Sequence, residues 1–265
     1  MFKQKKTTET LNYRGLAVFL IAVLAIALSM SIFVKADPTG ATVSYQSNTS
    51  KNASAADSRT DNKGTITTVN LDAQQQNLKW KAYVGNVTST FVLDDEDDYS
   101  IFQWTIDSFT GQIYIGRNSS VDWSNITCAT IPQKQSEDTE LGHTITSTDS
   151  VNSTFVTQGH KSFTIGTDPI NQNACFAVAT YANDTAQTAS ATTPFTEVVL
   201  WDGTNSMMLY TTFVLDDASS YRDDTDGTDA LGSNHTYDFQ AIVPETGNPS
   251  DPALTYFFYI ELSSS

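Results

Sequence analysis

The chain has 265 residues, 39% of them apolar and 11% aromatic, with a formal charge of −16; it carries enough hydrophobic material for a real core, which excludes a wholly disordered protein. Five of its 14 basic residues and one of its 30 acidic ones fall in the first 36, leaving the remainder with 29 acidic against 9 basic side chains and a formal charge of about −20. Such a surface repels nucleic acid and anionic membrane faces, and suits cations, cationic partners or concentrated salt.

Residues 15–34 are a run of twenty mostly apolar residues behind Lys3, Lys5, Lys6 and Arg14. A basic start before an apolar stretch predicts one N-terminal apolar helix with its basic end inside, so the chain from about residue 36 onward is expected outside the cytoplasm. Three fates fit residues 1–36. Val34-Lys35-Ala36 reads as a small-residue cleavage site that would release a soluble ectodomain beginning at Asp37. Twenty apolar residues also suffice to span about 30 Å of hydrocarbon, which would leave an uncleaved membrane anchor. Finally, Arg14-Gly15 directly before the run resembles the processing site of archaeal pilins, and that resemblance implies a retained helix bundled into a filament core.

Residues 37–63 are Ser, Thr, Asn, Asp and Ala with almost no large apolar side chain, and are expected to form a disordered polar stalk. From Gly64 the pattern changes to short β-branched and aromatic runs between polar turns. It predicts strands at 65–71, 78–84, 87–93, 101–106, 112–115, 153–157, 162–165, 176–181, 196–201, 207–215, 236–243 and 254–262, with no amphipathic helix. In the second of these, Leu78, Trp80, Ala82 and Val84 alternate with Lys79, Lys81 and Tyr83, which predicts an apolar inner face and a wet outer one. The expectation is an all-β, antiparallel sandwich or jelly-roll over residues 64–265, or two units at about 64–132 and 153–265 separated by the Ser- and Thr-rich stretch between them. One repeat bears on that choice. Thr90-Phe91-Val92-Leu93-Asp94-Asp95 recurs as Thr212-Phe213-Val214-Leu215-Asp216-Asp217, with Tyr99 matched by Tyr221.

Cys128 and Cys175 are the two cysteines; in an exported chain they predict one disulfide, worth roughly 4 kcal/mol by loop entropy. His143 and His160 show no zinc-ligand spacing with them. Acidic clusters follow both copies of the repeat, at residues 94–98 and 216–229. Asp224, Asp226 and Asp229 alternate around Gly227, a partial match to a Ca2+ loop that lacks a terminal bidentate Glu; no other cofactor is suggested. Eight Asn-X-Ser/Thr sequons, at Asn48, Asn52, Asn86, Asn118, Asn125, Asn152, Asn183 and Asn234, are candidate glycosylation sites. No nucleophile elbow, zincin helix or phosphate loop occurs. Trp80, Trp104, Trp123 and Trp201 suit core filling, or else a sugar-stacking platform.

The segments Gly64-Thr65-Ile66-Thr67-Thr68-Val69-Asn70, Leu78-Lys79-Trp80-Lys81-Ala82-Tyr83-Val84-Gly85-Asn86-Val87-Thr88, Tyr181-Ala182-Asn183-Asp184-Thr185-Ala186-Gln187-Thr188 and Tyr256-Phe257-Phe258-Tyr259-Ile260-Glu261-Leu262 resemble stretches of predicted β-rich surface proteins of archaea. The resemblance implies a glycosylated extracellular β protein and carries over no functional residue. The expectation is therefore a non-enzymatic cell-surface protein with a structural or adhesive role, working by self-association or contact with other surface proteins. Two alternatives stand beside it: a pilin-like filament subunit, and a secreted carbohydrate-binding or glycan-active sandwich.

Overall fold

A computed structural model describes residues 37–97, 99–105, 109–182, 185–215, 237–248 and 250–264. The expected N-terminal apolar helix lies outside the described residues, and no helix within them is long and apolar enough to cross a membrane. In chain order the elements are β1 (Thr39–Gly40), β2 (Trp80–Gly85), β3 (Thr90–Asp94), β4 (Ser100–Thr105), β5 (Phe109–Gly116), β6 (Ile126–Cys128), α1 (Ile131–Glu140), α2 (Val151–Thr154), β7 (Phe163–Ile165), β8 (Asp168–Ile170), β9 (Ala177–Ala179), β10 (Thr196–Asp202), β11 (Met207–Val214), β12 (Phe239–Pro244) and β13 (Phe257–Ser264). The protein is mostly β, and every strand pair is antiparallel.

Seven strands make the main sheet, ordered β1-β13-β5-β11-β10-β6, with β9 also on β10. Because β11 occupies one edge of β10 from Glu197 to Asp202, β6 and β9 lie end to end along the other. Both faces of this sheet are covered. Ile113, Ile115, Val199, Met208, Tyr210 and Val214 face one core, where Ala241 and Val243 of the β2–β12 pair pack on them. Tyr114, Val198, Leu200, Leu209 and Phe213 alternate onto the opposite face, which Phe163 and Ile165 of the β7–β8 hairpin cover. That double cover explains why all eight residues of β11 are buried, against the one-face-wet alternation usual in antiparallel sheets. Residues from both candidate halves of the chain enter the one sheet, since β5 lies between β11 and β13.

Three strand expectations are overturned. The predicted strand at 65–71 does not form: residues 42–78 are exposed throughout and carry neither helix nor strand, with Ile66 wholly exposed. The polar stretch therefore runs past residue 63, while its start is pinned where Thr39 and Gly40 pair with Ile260 and Tyr259. Trp80 packs on the core as expected, but from Lys81 onward the phase of β2 is the reverse of that expected. Ala82 and Val84 are exposed, whereas Lys81 and Tyr83 turn inward: Tyr83 meets Phe258 edge-on at 4.9 Å, and the Lys81 amine lies 4.9 Å from the Tyr256 ring centre, pairs with Glu245 and donates to the Leu254 carbonyl at 2.8 Å. The long aliphatic stem of lysine fills apolar space as its amine finds oxygen.

The Ser- and Thr-rich stretch, expected as the boundary only if there are two units, holds α1 and α2, neither of which presents an apolar stripe. Gln133 reaches back to accept the Thr130 N–H at 2.8 Å, and Pro132 stands in the first turn, which together start α1. Its buried residues are Lys134, Glu137 and Asp138. Their spacing of three and four is helical, but the inner face is charged. The predicted strand at 153–157 is replaced by α2, whose opening N–H groups at Val151 and Asn152 donate to the Asp138 carboxylate at 2.6 and 2.9 Å.

Candidate interaction surface

The feature that stands apart from this core is the β3–β4 hairpin. Phe91 lies opposite Trp104 and Leu93 opposite Phe102, so those four large apolar side chains share one face; Thr90, Val92, Gln103 and Thr105 share the other. A face of that composition normally seats on a core. Here Leu93 is 52% exposed, Phe102 56% and Trp104 47%, and every residue of β4 is exposed. Ile101 and Tyr99 add further exposed apolar surface at the turn end. Among the described residues the strands pair only with each other, so both outer edges leave backbone groups unpaired within the sheet. Phe102 and Trp104 pack on each other edge-to-face at 4.8 Å, which stiffens the face without hiding it.

The acidic turn joining the two strands is locally self-satisfied. The Asp95 carboxylate accepts the N–H groups of Asp97 and Tyr99 at 3.0 Å each, and the Ser100 hydroxyl donates to Asp94. Among the described residues no group of three or more His, Cys, Asp or Glu is placed to hold a metal ion. Asp224, Asp226 and Asp229, the residues of the expected Ca2+ loop, lie outside the described residues.

Cys128 and Cys175 do form a disulfide, with Cα atoms 4.9 Å apart. It joins β6 to the residues entering β9, fastening the two segments that share one edge of β10. His160 supports it without touching sulfur: its Nδ1–H donates to the Lys161 carbonyl at 2.7 Å and its Nε2 accepts the Cys175 N–H at 2.9 Å. His143 sits between Asp138 and the Glu245 carbonyl, joining α1 to the chain after β12. Beside it Arg117 donates to Glu137 at 2.7 Å and to Glu140 at 3.0 Å, and the Tyr210 hydroxyl donates to Glu137 at 3.1 Å. Burial pushes the Glu137 carboxyl above its ordinary value against the pull of Arg117. This is a network that seats a helix.

Of the sequon asparagines, Asn48, Asn52, Asn86, Asn118 and Asn125 are exposed and Asn152 is half-buried, while Asn183 and Asn234 lie outside the described residues. Asn125 Nδ2 is tied to the Thr204 hydroxyl at 3.1 Å. The four tryptophans do not form a platform: Trp80, Trp123 and Trp201 pack against the cores and Trp104 is in the hairpin. Sequence reasoning found the hairpin strands but not their exposure. The alternation of Phe91, Leu93, Phe102 and Trp104 is visible in the chain, yet it promises a buried face. No protein-family model matches the chain, and neither a curated protein nor a solved structure matches it significantly.

Proposed function

We propose that this is an exported, non-enzymatic cell-surface protein with a structural or adhesive role, and that the apolar face of the β3–β4 hairpin is its contact surface for a second copy. The observation that carries this reading is an amphipathic hairpin whose apolar face leaves Leu93, Phe102 and Trp104 about half exposed among the described residues. An isolated two-stranded ribbon is marginal in water, so covering that face is favourable in itself. The face is self-complementary in chemistry: apolar centre, unpaired strand edges, acidic turn at one end. The disulfide fits an oxidising compartment. The β2–β12 pair packed over the main sheet is read as a reduced sandwich, presented beyond the exposed polar segment 42–78.

Magnitudes set the mode of contact. Aromatic side chains bury roughly 150–250 Å2 each, and about half of each is on offer, so the face supplies on the order of 400 Å2 per copy. A stable pair needs about 800 Å2 per partner. Each contact is therefore weak alone and effective when many copies are held on one surface. A formal charge of about −20 opposes approach until salt shortens the screening length from about 10 Å at 0.1 M to about 3 Å at 1 M. Sedimentation of the full chain in mild detergent at both salt concentrations tests the reading. Wild type should gain mass at high salt, and a Phe102→Ser/Trp104→Ser variant should not; a variant that associates as wild type does sinks the proposal.

A further inference from the structure

In a chain so short of cations, each described lysine or arginine of the folded body except one is spoken for. Lys79 pairs with Asp149 at 3.0 Å, Lys81 with Glu245, and Arg117 with Glu137 and Glu140. Lys134 donates to the Phe155 carbonyl at 2.6 Å. The Lys161 amine has neither an ion pair nor a hydrogen bond among the described residues; it stands 4.6 Å from the Phe213 ring centre, half-buried. Burial lowers its pKa, as expected for an ammonium missing a counter-charge.

Lys161 lines a cavity of about 170 Å3 together with Ser190, Thr192, Thr193, Pro194, Phe195 and Phe213 among others. The wall is built at a cost. Phe195, 1% exposed, holds a left-handed backbone with φ of 51°, a conformation that bulky residues avoid and that concentrates at ligand-binding loops. The loop before it is stitched by hydroxyls: Thr193 Oγ1 donates to the Thr188 carbonyl at 2.6 Å, so Ser190 Oγ must donate to Thr193 Oγ1, also at 2.6 Å, while accepting the Thr192 N–H at 3.3 Å. Among the described residues the Thr192 hydroxyl has only a long 3.4 Å approach to Ser190, which leaves it available.

One cation, a free hydroxyl, and aromatic and proline surface in a space for a single ring suit one ligand chemistry. We propose that this cavity binds a carboxylate-bearing sugar, a hexuronic acid unit of a glycan, with its carboxylate on the Lys161 amine and its hydroxyls on the Thr192 side of the loop. A lone amine matches a single negative charge; a phosphate ester would call for an arginine fork or a second cation. The volume is well below the several hundred Å3 of an ordinary ligand pocket, so one ring fits rather than an oligosaccharide. This inference does not depend on the hairpin.

The test is a ligand-observed NMR titration of the full chain in mild detergent with D-glucuronate, D-glucose and acetate. Glucuronate should bind saturably with a roughly millimolar Kd, the affinity expected of a ligand that size. Glucose and acetate should each bind at least about tenfold more weakly, because each lacks half of the recognition. Lys161→Met should weaken glucuronate at least about tenfold with an unchanged Tm, and Lys161→Arg should restore part of it. The Phe102→Ser/Trp104→Ser variant should bind as wild type does. No saturable glucuronate binding overturns the proposal. So does equal binding by natively folded Lys161→Met, or acetate as tight as glucuronate, which would mark a plain anion contact.

Discussion

The tetrapeptide Thr-Phe-Val-Leu occurs at residues 90–93 in β3 and at residues 212–215 at the end of β11, and its two copies meet opposite environments. In β11, Phe213 is 3% exposed and Val214 1%, on opposite faces of a sheet covered on both sides, and the Thr212 hydroxyl donates to the Gln240 carbonyl at 2.7 Å. In β3, Val92 is 45% exposed and Leu93 52%, and the only partner strand is the exposed β4. The same residues thus make a strand twice, but whether it becomes core or surface is set by what the rest of the chain brings alongside. β-propensity fixes the extended backbone; β10, β5 and the two covering ribbons decide burial.

Truncating the same residue in each copy is the most forceful way to break this comparison. Phe213→Ala removes a ring packed against Phe163 at 5.3 Å and should cost about 3–5 kcal/mol, lowering Tm by roughly 10 °C. Phe91→Ala should cost about 1 kcal/mol or less, because its site is only partly buried. Parallel thermal melts decide it. Equal losses would mean the hairpin is seated on something that gives it a core of its own.

The contrast sharpens at the ion pairs. Arg117 neutralises a Glu137 side chain that is 1% exposed, whereas Arg59 pairs with Asp61 in the exposed segment at 64% exposure. Arg117→Met should destabilise by about 3 kcal/mol, since it leaves a buried carboxyl without its cation, and Arg59→Met should leave Tm unchanged. The pH dependence has a definite sign. Burial raises the Glu137 pKa above its ordinary 4.5, so its protonated form is favoured in the fold. Its contribution is complete below 4.5 and is lost as pH rises through the folded value. The Arg117→Met deficit should therefore shrink as pH is lowered, and a deficit that grows instead would place the damage elsewhere.

These positions also mark what could be read from the chain. Most strands were legible, because β-branched and aromatic runs between polar turns have few other uses, and the disulfide was legible because two cysteines leave one pairing. Helix α1 was not. A helix is recognised by an apolar stripe, and the stripe here is Lys134, Glu137 and Asp138, buried against carbonyls, Arg117, Tyr210 and His143. The inward turn of Lys81 escaped for the same reason. Exposure of the hairpin escaped because alternation shows that a face is apolar, never that it lacks a cover, and Lys161 escaped because its lack of a counter-charge among the described residues is a tertiary fact.

The smallest predicted effect separates the core from the hairpin by titration. His160 is wholly buried, and burial lowers its pKa below the ordinary 6.5, so the unfolded chain takes up a proton before the folded one does. Stability contributed by neutral His160 is complete above 6.5 and is lost as pH falls from 6.5 through the lowered folded value. The geometry agrees: protonation would turn Nε2, the acceptor for the Cys175 N–H, into a donor facing a donor. His160→Gln keeps one donor and one acceptor on a side chain that does not titrate. Its Tm should therefore fall less than that of wild type between pH 7 and pH 5, by a gap that widens as pH drops. Salt-driven self-association should be the same in both proteins at pH 7, because the hairpin contains no histidine. Parallel Tm curves would remove His160 from the account of acid stability, and altered association would show that the hairpin and the disulfide edge are coupled.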